Sequence, residues 1–144
     1  MQGESIKNRD SVLEYPWLHD IENKVKDFYR DIDAAIQKIS LLEDDWDGEG
    51  AGKFQDSVLS RVADFVKQLA IRAWQVKQRV INPPSILACP DGSVDIQWRT
   101  REFDLLVNVP GDINDPVTFS ADDYRGNASR GTCDLKASNP ILVS

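Results

Sequence analysis

The sequence predicts an α+β fold: two long N-terminal helices, at about 17–43 and 56–80, form a hairpin packed on a three- or four-stranded antiparallel β-meander at about 85–120. Three observations carry this. Apolar residues recur at helical spacing through the first 80 positions, the period falls to two after Ser85, and Asn82-Pro83-Pro84 separates the two regimes. With 144 residues and 41% hydrophobic residues, the chain is long and apolar enough for one domain with a real core. That domain is read as 1–125, including a polar lead-in over 1–15, and 126–144 is read as a flexible or partner-docked tail.

The first helix rests on Leu18, Ile21, Val25, Phe28, Ile32, Ala35, Ile39 and Leu42, whose steps alternate between three and four residues. This is a heptad seam, and Pro16 is suited to a first helical turn. The seam needs an apolar surface opposite: the second helix, the sheet, or a second copy of the chain in a homodimer through 18–42. The second helix is capped by Asp56 or Ser57 and carries Val58, Val62, Phe65, Leu69, Ala73, Val76 and Val80 on one face. Arg72, Lys77 and Arg79 complement its C-terminal dipole.

"SILAC" then reads as a strand and Pro90-Asp91-Gly92 as a turn. In the next strand Val94, Ile96 and Trp98 share one face, and in the strand after it Phe103, Leu105, Val107 and Val109 do so. "PVTFS" supplies a short fourth strand. The segment after 126 is rich in Gly, Ser, Asn and Ala and ends in Ile141-Leu142-Val143, which can add a strand or dock on a partner.

Charge narrows the function. Residues 1–80 carry 15 acids and 12 bases and residues 81–144 carry 9 and 5, so both halves are negative within a net charge of −7. There is no basic block to hold phosphates, which argues against direct nucleic-acid binding. No apolar run is long enough to span a membrane, and "MQGESIKNRD" has no apolar signal core. Cys89 and Cys133 lack metal-type spacing and read as reduced thiols, so the expected location is cytoplasmic.

The densest feature is "LLEDDWDGEGAGKFQD" at 41–56, where Glu43, Asp44, Asp45, Asp47 and Glu49 crowd seven positions. As an EF-hand-like loop, Asp45, Asp47, Glu49 and Asp56 would occupy positions 1, 3, 5 and 12, with Gly50 at the turn position. The fit is poor. Glu49 is long for position 5, Asp56 is short for a bidentate position 12, and Gly52 leaves no apolar tie to the core. As a helix C-terminus closed by Gly48 or Gly50, the acids oppose the helix dipole by up to about 1 kcal/mol each unless they lie beyond the last turn.

Catalytic signatures are missing. His19 has no neighbouring nucleophile motif, neither cysteine sits in a nucleophile signature, and "GEGAG" neither follows a strand nor precedes Lys-Ser/Thr. No cofactor is expected. Trp98 and Trp46 read as core and hairpin packing, and Trp17 and Trp74 as helix residues, with Trp17 the best interface anchor.

Trp46-Asp47-Gly48-Glu49-Gly50-Ala51, Pro84-Ser85, Asp91-Gly92 and Val94 through Trp98 carry a resemblance over about 44–109. They resemble a group of small uncharacterised bacterial proteins with a Trp-Asp-Gly-Tyr-Gly-Ala stretch between helices. The group also shows a Pro-Ser strand, an Asp-Gly turn and a Val-x-x-x-Trp strand. Glu49 stands where the group has an aromatic residue. The resemblance implies that the turn is architectural, and it brings no activity with it. Some such proteins sit in mobile or defence-related gene neighbourhoods.

The expected function is therefore a non-catalytic protein that binds another, basic protein, in the manner of an antitoxin, immunity protein or inhibitor. Glu43, Asp44, Asp45, Asp47, Glu49 and Trp17 are the expected contacts. The alternatives are a divalent-cation module on Asp45, Asp47, Glu49 and Asp56, and an enzyme of unrecognised type.

Overall fold

The computed structural model describes residues 16–77 and 81–133; the side chains of 16–22, 24 and 74–77 lie outside that description. Helix α1 (Pro16–Ser40) and helix α2 (Asp56–Lys77) precede β1 (Ser85–Ala88), β2 (Val94–Arg99), β3 (Asp104–Val109), β4 (Val117–Asp122) and β5 (Ala128–Cys133). The strands form one sheet in chain order, each antiparallel to its neighbours.

The α+β class is as the sequence predicts, but the sheet has five strands rather than three or four. The fifth falls where the tail was expected. Ala128–Cys133 has no apolar face to announce it, and its residues are exposed except for half-buried Cys133. It is held by its register against β4, from Val117 opposite Cys133 to Asp122 opposite Ala128. The turn between them is built by polar side chains. Asp123 accepts hydrogen bonds from the N–H groups of Arg125 and Asn127, and Tyr124 takes a positive φ of 61° while donating to Asp122.

Alternation decides which sheet face is buried. Val94, Ile96 and Trp98 of β2 and Leu105, Val107 and Val109 of β3 point into the core, and Asp95, Gln97, Asp104 and Asn108 point out. Phe103, expected in the inward row, is exposed, because β3 begins at Asp104 and Phe103 belongs to the preceding turn. The Trp98 indole is buried with its N–H donating 3.1 Å to Asn82 O, which also ties down the segment entering β1.

The helices pack on each other and on the inner face of β1, β2 and β3. Phe28, Ile32 and Ile39 of α1 join Val58, Val62, Phe65, Val66 and Leu69 of α2 in a single core with the sheet. The heptad seam thus meets its own chain. Phe28, Ile32 and Ile39 of the seam are buried there, Val25, Ala35 and Leu42 are half-buried, and the side chains of Leu18 and Ile21 lie outside the described residues. On the helix surfaces Lys67 ties α2 to α1: its ammonium is 2.7 Å from Asp33 and lies over the Tyr29 ring. No helix of the described residues is long and apolar enough to cross a membrane.

Candidate functional site

The acids at 43–49 lie beyond α1, which ends at Ser40, so the dipole conflict does not arise. The last carbonyls instead receive a cation, as Lys53 Nζ donates to Ser40 O at 3.1 Å and stands 3.7 Å from a Glu43 carboxylate oxygen.

Three of the five carboxylates turn back on their own loop. Asp47 Oδ1 accepts the N–H groups of Glu49 (2.9 Å) and Ala51 (3.0 Å). Asp45 Oδ1 accepts Gly50 N–H at 2.7 Å, and Asp44 Oδ1 accepts Lys53 N–H at 2.9 Å. The loop needs such acceptors because its backbone belongs to neither helix. Gly50 at φ 90° and Gly48 at φ 74° give the sharp returns, and Asp45 itself sits at φ 66°, a conformation that aspartate tolerates better than most residues. Trp46 closes the loop, donating from Nε1 to Gly52 O at 3.2 Å and packing at 5.9 Å, tilted, on Phe54.

This geometry does not assemble the EF-hand-like set Asp45, Asp47, Glu49 and Asp56. Asp45 and Asp47 are occupied by backbone N–H groups, and Asp56 begins α2, where the dipole favours a negative charge. Among the described residues no three His, Cys, Asp or Glu side chains are placed to hold a metal. As contacts for a partner, Glu43 and Glu49 have exposed carboxylates, whereas Asp44, Asp45 and Asp47 also serve the loop. The side chains of Trp17, Trp74 and His19 lie outside the described residues.

The loop leads into an open cleft of about 730 Å³. One wall is Lys53, Phe54, Gln55 and the first turn of α2 (Ser57, Val58); the others are the turn Asp91–Ser93 with Asn108, and the connection Pro110–Asp115. The first turn is fixed by Asp91, whose Oδ1 accepts both the N–H (3.0 Å) and the hydroxyl (2.6 Å) of Ser93. Ser93 is only 4% exposed, and its Oγ accepts from Asn108 Nδ2 at 2.9 Å, which also donates to Asp95 at 2.8 Å. The second connection is held from α2, where Arg61 Nη2 donates to Pro110 O at 2.6 Å and reaches Gly111 O at 3.4 Å. Asp112 Oδ1 accepts Asn114 N–H, and between Asp112 and Asp115 stands Ile113, 72% exposed.

The cleft mouth is anionic. Asp91, Asp112 and Asp115 line it against one cation, Lys53, whose ammonium is committed to Ser40 O and Glu43. The Ser93 hydroxyl and then the Ser93 N–H hold Asp91 below the usual carboxylate range, so this charge persists in mild acid. Burial pushes the Cys89 thiol up against an opposing hydrogen bond with the Ser93 side chain, and the charges of Asp95 and Asp91 reinforce the rise, which disfavours the thiolate. Pro110-Gly111-Asp112 follows directly on β3 in the sequence. An isoleucine flanked by turn-forming Asp112, Asn114 and Asp115 is the sequence signal available for this connection, since such a residue is forced outward.

Acid stability follows from the same turns. The Glu49 and Ala51 N–H groups lower Asp47, the Ser93 hydroxyl lowers Asp91, and the Asn127 side chain and Arg125 N–H lower Asp123, all from an ordinary 3.8. With folded values below unfolded ones, the unfolded chain binds more protons in that window. The stabilisation is complete above 3.8 and is lost as pH falls through the lowered folded values. Thermal melts across this range are expected to show a steep acid limb that is shallower in an Asp47→Asn/Asp123→Asn variant. An unchanged limb would remove the turn carboxylates as its cause.

Compared with protein-family models, curated proteins and solved structures, the chain matches none.

Proposed function

We propose that the chain is a non-catalytic protein-binding protein whose cleft end engages a basic partner surface. One observation carries this reading: the cleft gathers Asp91, Asp112 and Asp115, with Glu43 and Glu49 on the adjoining loop, while the nearby cations Lys53 and Arg61 are spent on backbone carbonyls. The resulting field attracts positive charge, steers a basic partner and rejects acidic ones. Ile113 at the rim supplies an apolar anchor inside an acidic ring, an arrangement suited to a pocket bordered by Lys and Arg. Occlusion of a basic active site by these carboxylates is how an antitoxin, immunity protein or similar inhibitor would act.

The test is a pull-down of the products of adjacent genes by the tagged chain, repeated with Asp112→Lys/Asp115→Lys. The expected result is one captured product whose binding weakens with added salt and falls by about a hundredfold on double charge reversal. Capture of no neighbouring product, or capture indifferent to both reversal and salt, defeats the reading.

A further inference from the structure

We propose that β5 is a self-association edge, pairing antiparallel with β5 of a second copy to continue the sheet across a twofold axis. Among the described residues the helices lie over β1, β2 and β3, and burial falls off toward the far edge: Val117 of β4 is buried in the core, Phe119, Ala121 and Cys133 are half-buried against it, and the rest of β5 is exposed. The inner face there carries Phe119 and Ala121 beside the exposed Ser129 and Gly131 of β5.

The two edges of the sheet differ. β1 is four residues long, lies between Pro84 and Pro90, and has α1 packed beside it. β5 is six residues long, contains no proline, and keeps an unbroken register without a bulge. Among the described residues it therefore has neither proline nor bulge to blunt it, and its one charge is Arg130. Because Asp123 N–H donates to Asn127 O, the alternation of the ladder aims the backbone groups of Ser129, Gly131 and Cys133 at β4. Those of Ala128, Arg130 and Thr132 point outward, away from the sheet.

The occupant is a second copy for two reasons. Residues 117–133 hold two acids, Asp122 and Asp123, and two bases, Arg125 and Arg130, so this edge is neutral in a chain of net charge −7. It is where two such chains can meet without strong repulsion. The pairing also has a favoured register. Setting Gly131 opposite Gly131 of the second copy places Arg130 against a threonine, whereas a same-face shift one way sets arginine against arginine and the other way leaves only residues 131–133 of the strands overlapping. A Cβ at 131 would stand 3.2 Å from the Phe119 ring, so glycine lets that ring lie over the edge strand. In the pair the two Phe119 rings approach each other across the paired glycines.

Strand pairing plus one aromatic strip is small for an interface, so the expected dissociation constant is on the order of 10–100 µM. Sedimentation equilibrium of the full chain from roughly 5 µM to 1 mM should show 16.2 kDa monomers passing to dimers of twice that mass. Thr132→Pro removes an outward N–H without touching the β4 ladder, and Ser129→Lys puts a charge on the inner face at the edge. Each is expected to weaken dimerisation at least about tenfold with an unchanged circular dichroism spectrum. Should Thr132→Pro disturb folding, Ser129→Lys alone decides. A wild-type chain that stays monomeric at 1 mM, or a folded Ser129→Lys that dimerises as wild type does, overturns the proposal.

Discussion

Replacing Ile96 by alanine is expected to lower the free energy of unfolding by about 3 kcal/mol. Ile96 is fully buried at the middle of β2, paired with Ile86 on one side and Val107 on the other. It belongs to the same core as Val58, Val62 and Val66, which are themselves without exposed surface. Removing its branched side chain loses transfer free energy and leaves a void that fully buried neighbours cannot easily fill. Val107 is held by the ladder on both sides, so only half-buried Ile86 at the sheet edge has freedom to shift inward. For a domain of ordinary stability the loss is a large fraction of the total. Urea titration should show a lower midpoint at an unchanged slope. Thr118→Ala, on the exposed face of β4, is the control and should cost under about 0.5 kcal/mol. A loss below about 1 kcal/mol for Ile96→Ala would mean that the sheet and helices are less tightly packed than this core requires.

What the sequence disclosed tracks where apolar periodicity is strong. The first helix was expected at 17–43 and runs Pro16–Ser40; the second was expected to begin at 56 and does. β2 and β3 were plain because each buries one face and wets the other. β5 was hidden for the opposite reason: exposed up to half-buried Cys133, Ala128–Cys133 carries no apolar alternation, and its place is set by the Asp122–Asn127 turn and by pairing with β4. The acidic loop was legible as a feature but not in its purpose. Composition shows five carboxylates, yet only the folded loop shows that Asp44, Asp45 and Asp47 accept four backbone N–H groups between them. The cleft could not be read at all, because its walls come from three separate segments that approach only in the fold.

Arg61→Ala is expected to reduce stability by about 2 kcal/mol and, with greater consequence, to free the rim of the cleft. The guanidinium spans from α2 to the connection after β3, donating to Pro110 O at 2.6 Å. Its removal leaves that half-buried carbonyl without its donor, which costs more than the hydrogen bond itself is worth. A partial offset comes from Nε, which is buried with no hydrogen-bond partner, so the arginine is already imperfectly satisfied and its removal relieves that atom. The binding consequence separates two physical accounts of the cleft. Deleting a cation beside Asp91, Asp112 and Asp115 makes the mouth more negative, so if the field alone governed affinity, Arg61→Ala would tighten the grip on a basic partner. If the rim must be held in place, the freed connection spreads Asp112, Ile113 and Asp115 over many positions, and affinity falls by about tenfold. The second outcome is expected, because the connection carries both the charges and the apolar anchor. Arg61→Lys keeps the charge but loses the planar guanidinium whose Nη2 alone reaches both Pro110 O and Gly111 O, and should weaken binding too. Hydrogen exchange at Ile113 and Asn114 should quicken in both variants. Unchanged exchange with tighter binding in Arg61→Ala would replace the positioned rim with a purely electrostatic cleft.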